Sequence, residues 1–292
     1  MALRDISVDS KPFSISYKII DNKSDLWALF LHGWGANKEL MESAFGARFK
    51  RLNHLYVDLP GFGGSSNDFV LNTELYAKIV RHFIDALNIA PKVIIAHSFG
   101  GKVATILALD SGKDSIDSRK ISIDSRTDSP KKMQDSPKNP KDSPNPPHLV
   151  LLSSAGLLKK QSNKVRLKIK FAKIARFFHI KAKFLISADA KHLSQNMYET
   201  FKIVVREDFS ERFAALGANQ GTNPSKNQSK NTAKTLIFWG ENDDAVPLYL
   251  GEKMSDLIKD SAFFALKGNH FFFLDSYNAQ FIEATTTKTL GL

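Results

Sequence analysis

Short apolar runs punctuate the chain at Pro12–Ile20, Leu26–Leu31, His54–Asp58, Val93–His97, Leu149–Ser153, Thr235–Trp239 and Ala262–Leu266. Longer stretches between and after them return apolar residues at helical spacing, notably Glu74–Leu87, Gly101–Leu109, Leu248–Ile258 and Asn278–Leu290. Val93-Ile94-Ile95 is a β-branched run, the composition of a strand covered on both faces. Strands alternating with helices of this length predict an α/β fold, a mostly parallel central sheet flanked by helices. In such sheets chemistry collects at the carboxyl ends of the strands, so the residues just past each run are where it is sought.

Two stretches break the alternation. Residues 111–147 are polar and proline-rich, with Asp-Ser pairs seven residues apart at Asp117 and Asp124 and again at Asp128, Asp135 and Asp142. A seven-residue period signals a coiled coil only when apolar residues fill the seam, and here they do not. With so little apolar surface to offset chain entropy, the stretch reads as a disordered insertion grown from a tandem repeat. Gly217 to Lys234 is rich in Asn, Gln, Ser and Lys and reads as a flexible return linker. The expected organisation is a core from 1 to 110, the insertion 111–147, a core strand within 148–156, an inserted helical cap with its linker over 157–232, and a second core part over 233–292.

Composition narrows the chemistry. A chain of 292 residues with 42% hydrophobic content can bury a substantial core. No apolar window is long enough for a secretory signal or for the ~18 residues that span a bilayer, so a cytoplasmic protein is expected. The absence of cysteine excludes disulfides, a thiolate nucleophile and cysteine-ligated metals. A net charge of +11 raises the question of a nucleic-acid partner. Much of the excess lies in Lys159–Lys183, which carries no acidic residue and interleaves its cations with Val165, Leu167, Ile169, Phe171, Ile174, Phe177 and Phe178. No nucleic-acid motif accompanies it, and nucleic acid is not expected. Two readings stay open: a solvated surface helix, or a docking surface for an anionic partner formed by Lys164, Arg166, Lys168, Lys170, Lys173 and Arg176.

The sharpest motif is Ala96-His-Ser-Phe-Gly100, which ends the Val93–His97 run and leads into helix-forming sequence. A serine on a strained strand-to-helix turn exposes its hydroxyl and needs small neighbours, here Ala96 and Gly100. Alone, the pentapeptide does not separate a nucleophile from an ordinary turn serine. Other strand ends add partners. Leu31-His-Gly-Trp-Gly35 and Asp58-Leu-Pro-Gly-Phe-Gly-Gly-Ser65 are glycine-rich turns, Trp239-Gly-Glu-Asn-Asp-Asp-Ala-Val-Pro247 offers carboxylates, and Gly268-Asn-His270 offers a histidine. Gly61-Phe-Gly-Gly64 lacks both the dinucleotide fingerprint and the lysine of a phosphate loop, so neither cofactor nor metal is expected.

Taken together and in order, these motifs resemble the α/β-hydrolase fold superfamily, whose nucleophile, acid and histidine follow one another along the chain in this sequence. The resemblance covers nearly everything outside the two polar insertions and the cap. It implies Ser98 as nucleophile, His270 as general base and Asp243 as the carboxylate that orients it. Gly240, Asp243, Val246 and Pro247 align with the family's Gly-x-x-Asp-x-x-Val-Pro, which favours Asp243 over Asp244. The backbone N–H groups of Trp34 and Phe99 would form the oxyanion hole. Gly33, Gly35 and Gly100 would support its turns, and His32 would brace the loop. His97 sits on the opposite strand face from its neighbours and is expected to pack or hydrogen-bond elsewhere.

A serine at the elbow argues against haloalkane dehalogenation, which needs an aspartate there, and Ala96–Gly100 departs from the Gly-Gly-Ser-Trp-Gly of the iminopeptidase branch. The first expectation is hydrolysis of a carboxylic ester or thioester through an acyl-enzyme. The second is a C–C bond hydrolase of dienoate ring-cleavage products, and a third is a non-catalytic binding protein on the same fold. His32–Gly35 and Val57–Gly63 also look like runs in the pimeloyl-acyl-carrier-protein methyl ester esterases, although the elbow differs from their Gly-Trp-Ser-Leu-Gly. An acidic acyl carrier or an anionic lipid surface would then suit the basic segment.

Overall fold

The computed structural model describes residues 2–110, 146–158, 194–218 and 233–292. Their apolar runs pair into one sheet of eight strands: β1 (Ala2–Val8), β2 (Lys11–Ile20), β3 (Trp27–Leu31), β4 (Asn53–Val57), β5 (Pro91–His97), β6 (His148–Leu152), β7 (Thr235–Gly240) and β8 (Ala262–Leu266). The order across the sheet is β1-β2-β4-β3-β5-β6-β7-β8. The β1–β2 and β2–β4 pairs are antiparallel and all others parallel. The expected mostly parallel sheet flanked by helices is therefore what forms.

Strands β3 to β7 of the parallel part are largely buried on both faces and alternate between two apolar layers, while the edge strand β8 is only partly buried. Ile94 and Ala96 of β5 and Leu149 and Leu151 of β6 enter one layer, while Val93, Ile95, Val150 and Leu152 enter the other. The first layer is closed by helices α2 (Thr73–Ala86), α3 (Phe99–Asp110), α5 (Ser210–Ala218) and α6 (Leu248–Leu257). Helices α1 (Lys38–Phe45) and α7 (Ser276–Leu290) close the second. Asn37, Asn72 and Asp275 cap α1, α2 and α7 by accepting from backbone N–H groups of the first turn. Helix α4 (Gln195–Val204) lies on the side of the sheet's carboxyl ends, and α5 packs between α3 and α6.

Two elements were not among the runs expected from the pattern. Strand β1 carries Arg4 and Asp5 in an exposed edge position, so its alternation is diluted by charge. It joins β2 through Asp9 and Ser10, both at positive φ (52° and 62°), the geometry of the tightest hairpin turns. Helix α1 spans only eight residues and has little room to display a period. Most of the 111–147 insertion, the basic segment with Lys164, Arg166, Lys168, Lys170, Lys173 and Arg176, and most of the return linker lie outside the described residues. No helix among the described residues is long and apolar enough to cross a membrane.

Candidate active site

Parallel pairing sets the ends of β3, β5, β6, β7 and β8 along one edge, with Leu31 beside Ala96, His97 beside Leu152, and Gly240 beside Leu266. The loops that follow carry Ser98, Asp243 and His270, the residues expected to be catalytic. Ser98 occupies the single position between β5 and α3 and holds φ at +50°, a left-handed conformation that costs a non-glycine residue about 1–3 kcal/mol. The turn is locked from both sides: Ser98 N–H donates to Leu152 O at 3.0 Å, and Ser98 O accepts from Gly101 N–H and Ala155 N–H, each at 3.0 Å. Gly100 is required by close approach, since a Cβ there would stand 2.7 Å from His32 O and 2.8 Å from Leu31 O. Strain and small neighbours therefore belong to one device, in which the backbone of β3 presses against the first turn of α3.

The acid and the histidine are joined directly. His270 Nδ1 lies 2.7 Å from Asp243 Oδ2, and both side chains are almost wholly buried. The other carboxylate oxygen, Oδ1, accepts from Ala245 N–H at 2.9 Å and Val246 N–H at 2.7 Å. Trp239 Nε1 donates to Val246 O at 2.8 Å and closes that loop onto the sheet. A carboxylate only accepts, so the proton of the neutral imidazole sits on Nδ1 and leaves Nε2 as a base. Among the described residues no hydrogen bond joins Ser98 to His270. In ligand-free sites such contacts are commonly long and close in the complex. Asp244, the alternative acid, is exposed and has no part in this pairing.

The loop after β3 supplies the remaining parts. Buried His32 accepts Leu59 N–H on Nε2 at 2.9 Å, which places its proton on Nδ1, donated to Gly33 O at 2.7 Å. Burial, set against the pull of Asp58, lowers its pKa from the ordinary value, so it is a neutral brace. A Cβ on Gly33 would stand 3.0 Å from Ser98 Cβ, which puts the Trp34 loop in contact with the elbow. Neither the Trp34 nor the Phe99 backbone N–H donates to an acceptor among the described residues. Asp58 stands behind this loop, paired with buried Lys38 at 2.7 Å and accepting Gly64 N–H at 2.9 Å.

Aromatic rings gather around the Trp34 loop. Trp34 meets Phe62, Phe99 and Phe201 edge-on, with centroids 4.9, 5.5 and 5.1 Å apart. Phe201 comes from α4, which is anchored at its far end by Lys102. That lysine, 2% exposed, donates to Val204 O at 2.6 Å and to Glu207 at 2.7 Å and lies over the Phe209 ring. Phe201, Lys102 and Glu207 stand in no sequence motif, and their meeting depends on how the chain returns after residue 193; Phe62 lies in the Asp58–Ser65 turn, whose motif gave its ring no role. Among the described residues no group of three or more His, Asp and Glu side chains is placed to hold a metal ion.

A family model described as the alpha/beta hydrolase family matches residues 28–284. The sn-1-specific diacylglycerol lipase ABHD11 of Mus musculus is 31% identical over 106 residues, 35% of this chain and 34% of that protein. The 2-succinyl-6-hydroxy-2,4-cyclohexadiene-1-carboxylate synthase of Escherichia coli is 33% identical over 82 residues, 28% of this chain and 32% of that one. The matches thus span about a third of the length of these relatives. A hydrolase from Pseudomonas aeruginosa PA01 superposes with a TM-score of 0.67 over 99% of this chain and 98% of that chain, at 14% identity, a likeness of fold alone.

Proposed function

Because the chain belongs to the alpha/beta hydrolase family, we propose that it is a serine hydrolase that cleaves a carboxylic ester or thioester through an acyl-enzyme on Ser98. The observation that carries this reading is the buried His270–Asp243 hydrogen bond of 2.7 Å at the same sheet edge as a serine held at φ +50°. His270 Nε2 takes the proton of Ser98 Oγ as that oxygen bonds to the ester carbonyl carbon. The resulting oxyanion accepts from the N–H groups of Trp34 and Phe99. Collapse breaks the carbonyl carbon–leaving group bond, and His270 returns the proton to the departing alcohol or thiol. Water, deprotonated by His270, then attacks the acyl carbon, and release of the carboxylic acid restores Ser98. Asp243 holds the Nδ1 proton throughout and stabilises the imidazolium.

The rings of Trp34, Phe62, Phe99 and Phe201 favour an apolar acyl group, since each polar substituent set against them would lose hydration without a partner. The domain partition is part of the same proposal: residues 157–232 supply the cap and linker, with α4 as the portion that touches the Trp34 loop, while α5 within that span closes the core layer between α3 and α6. The basic run with Lys164, Arg166, Lys168, Lys170, Lys173 and Arg176 is proposed to dock an acidic acyl carrier that presents the ester. A panel of acyl esters of graded length, with a dienoate alongside, tests the reaction. Turnover of esters that disappears in Ser98→Ala is expected. Cleavage of the dienoate alone would overturn the ester reading in favour of C–C bond hydrolysis, and no turnover of either would favour a binding protein.

A further inference from the structure

His97 is the last residue of β5 and directly precedes Ser98. The two-residue period of the strand sends it to the face of Val93 and Ile95, where it is 1% exposed. Its ring lies against those of His270, Phe273 and Phe271, with centroids 4.5, 4.8 and 5.2 Å away. Its Nε2 is 3.0 Å from the carbonyl oxygen of His270. A carbonyl only accepts, so Nε2 carries the proton and Nδ1 keeps a lone pair. That Nδ1 is buried without a partner among the described residues and faces Gly33, where a Cβ would come within 2.9 Å of it.

An imidazole with one nitrogen unsatisfied is a poor filler for a niche made of phenylalanines, since a buried unpaired acceptor costs about 1–3 kcal/mol. A phenyl ring would occupy the same space without that cost. What the imidazole adds is the bond to His270. The need for such a bond follows from the topology: β5 and β8 are separated in the sheet by β6 and β7, and the Asp243 bond orients the His270 ring without tying its backbone to the elbow. We propose that His97 is a positioning residue for the general base, its Nε2–H holding the His270 backbone to the end of the strand that carries Ser98. Burial and the neighbouring His270 push the His97 pKa well below the ordinary value, so the bond is made by a neutral ring that does not oppose the imidazolium formed during acyl transfer.

The inference rests on the serine-hydrolase reading, and its test separates the two. Inactivation by a fluorophosphonate probe reports nucleophile activation without knowledge of the substrate. The side-chain amide of Gln reaches where Nε2 stands, and that of Asn reaches only as far as Nδ1. His97→Gln should keep the inactivation rate constant within about threefold, whereas His97→Asn and His97→Phe should lower it about 10–100-fold with the probe's half-saturating concentration unchanged. His97→Phe should melt no lower than the parent protein, which separates positioning from folding; if it fails to fold, the Gln and Asn pair decides. Equal rates for Gln and Asn would overturn the positioning role while Ser98→Ala remains unlabelled. Labelling that persists in Ser98→Ala would overturn the underlying reading instead.

Discussion

Asp243→Asn isolates one proton. Asp243 Oδ1 accepts two backbone N–H groups, from Ala245 and Val246, while Oδ2 accepts from His270 Nδ1. The amide introduced there has one oxygen, and the two backbone donors claim it, which turns the NH2 toward His270. An NH2 donates, so His270 must offer a lone pair at Nδ1 and carry its proton on Nε2. In that tautomer the ring cannot take the Ser98 proton, although volume, hydrogen-bond count and ring position are all retained. The expected loss is about 10³–10⁴ in kcat, of the size seen when a triad histidine is held in the wrong tautomer. At 1.36 kcal/mol per decade this corresponds to about 4–5.5 kcal/mol of transition-state stabilisation. Steady-state hydrolysis of a soluble p-nitrophenyl ester measures it, with KM changing less than about threefold, as for an interaction made only in the transition state. A variant within tenfold of the parent in kcat, folded and with the same KM, would refute the tautomer argument and the assignment of Asp243 with it.

Three further substitutions probe the frame around the site. Lys102→Met removes the buried cation shared by Val204 O and Glu207, and it should lower stability by about 2–3 kcal/mol, less than for a fully buried pair because Glu207 is partly exposed. Urea denaturation with an unchanged midpoint would contradict that anchor. Gly100→Ala places a Cβ against His32 O and Leu31 O, both backbone atoms, so it should cost about 1–3 kcal/mol and disturb the elbow; a variant with parental melting temperature and activity would show that the approach is looser than described. His148, buried at the start of β6, has its pKa lowered from 6.5 to about 4 by burial and by Lys92 and Lys234. The unfolded chain therefore takes up this proton first as pH falls, so the contribution is complete above pH 6.5 and declines toward pH 4. His148→Asn should flatten that part of the stability–pH curve, and denaturant midpoints at pH 7 and 5 that shift as in the parent would refute it.

The parts of the site that local chemistry dictates were legible in the sequence. Ser98 announces itself because a strained turn tolerates only small neighbours, and His270 and Asp243 follow strand ends that any α/β reading places at one edge. The seven apolar runs became β2 to β8 within a residue or two at most boundaries. Less legible were elements whose pattern is diluted, such as β1 with Arg4 and Asp5 at an exposed edge. Least legible were contacts made by return of the chain. Nothing near Lys102 in sequence indicates that Glu207 will neutralise it, and nothing in α4 indicates that Phe201 will reach Trp34. Strand alternation correctly sent His97 away from the face of Ala96, but the identity of its partner, the His270 carbonyl, needed the packed sheet.

Acyl transfer is proposed to pass through an ester bond on the Oγ of Ser98. The most direct measurement is incubation with a fluorophosphonate followed by intact-mass and peptide-mass spectrometry. A single adduct on the peptide containing Ser98, formed at a rate that collapses in Ser98→Ala and in His270→Ala, is the predicted result. An adduct mapped to another serine, or labelling at parental rate in Ser98→Ala, would contradict it.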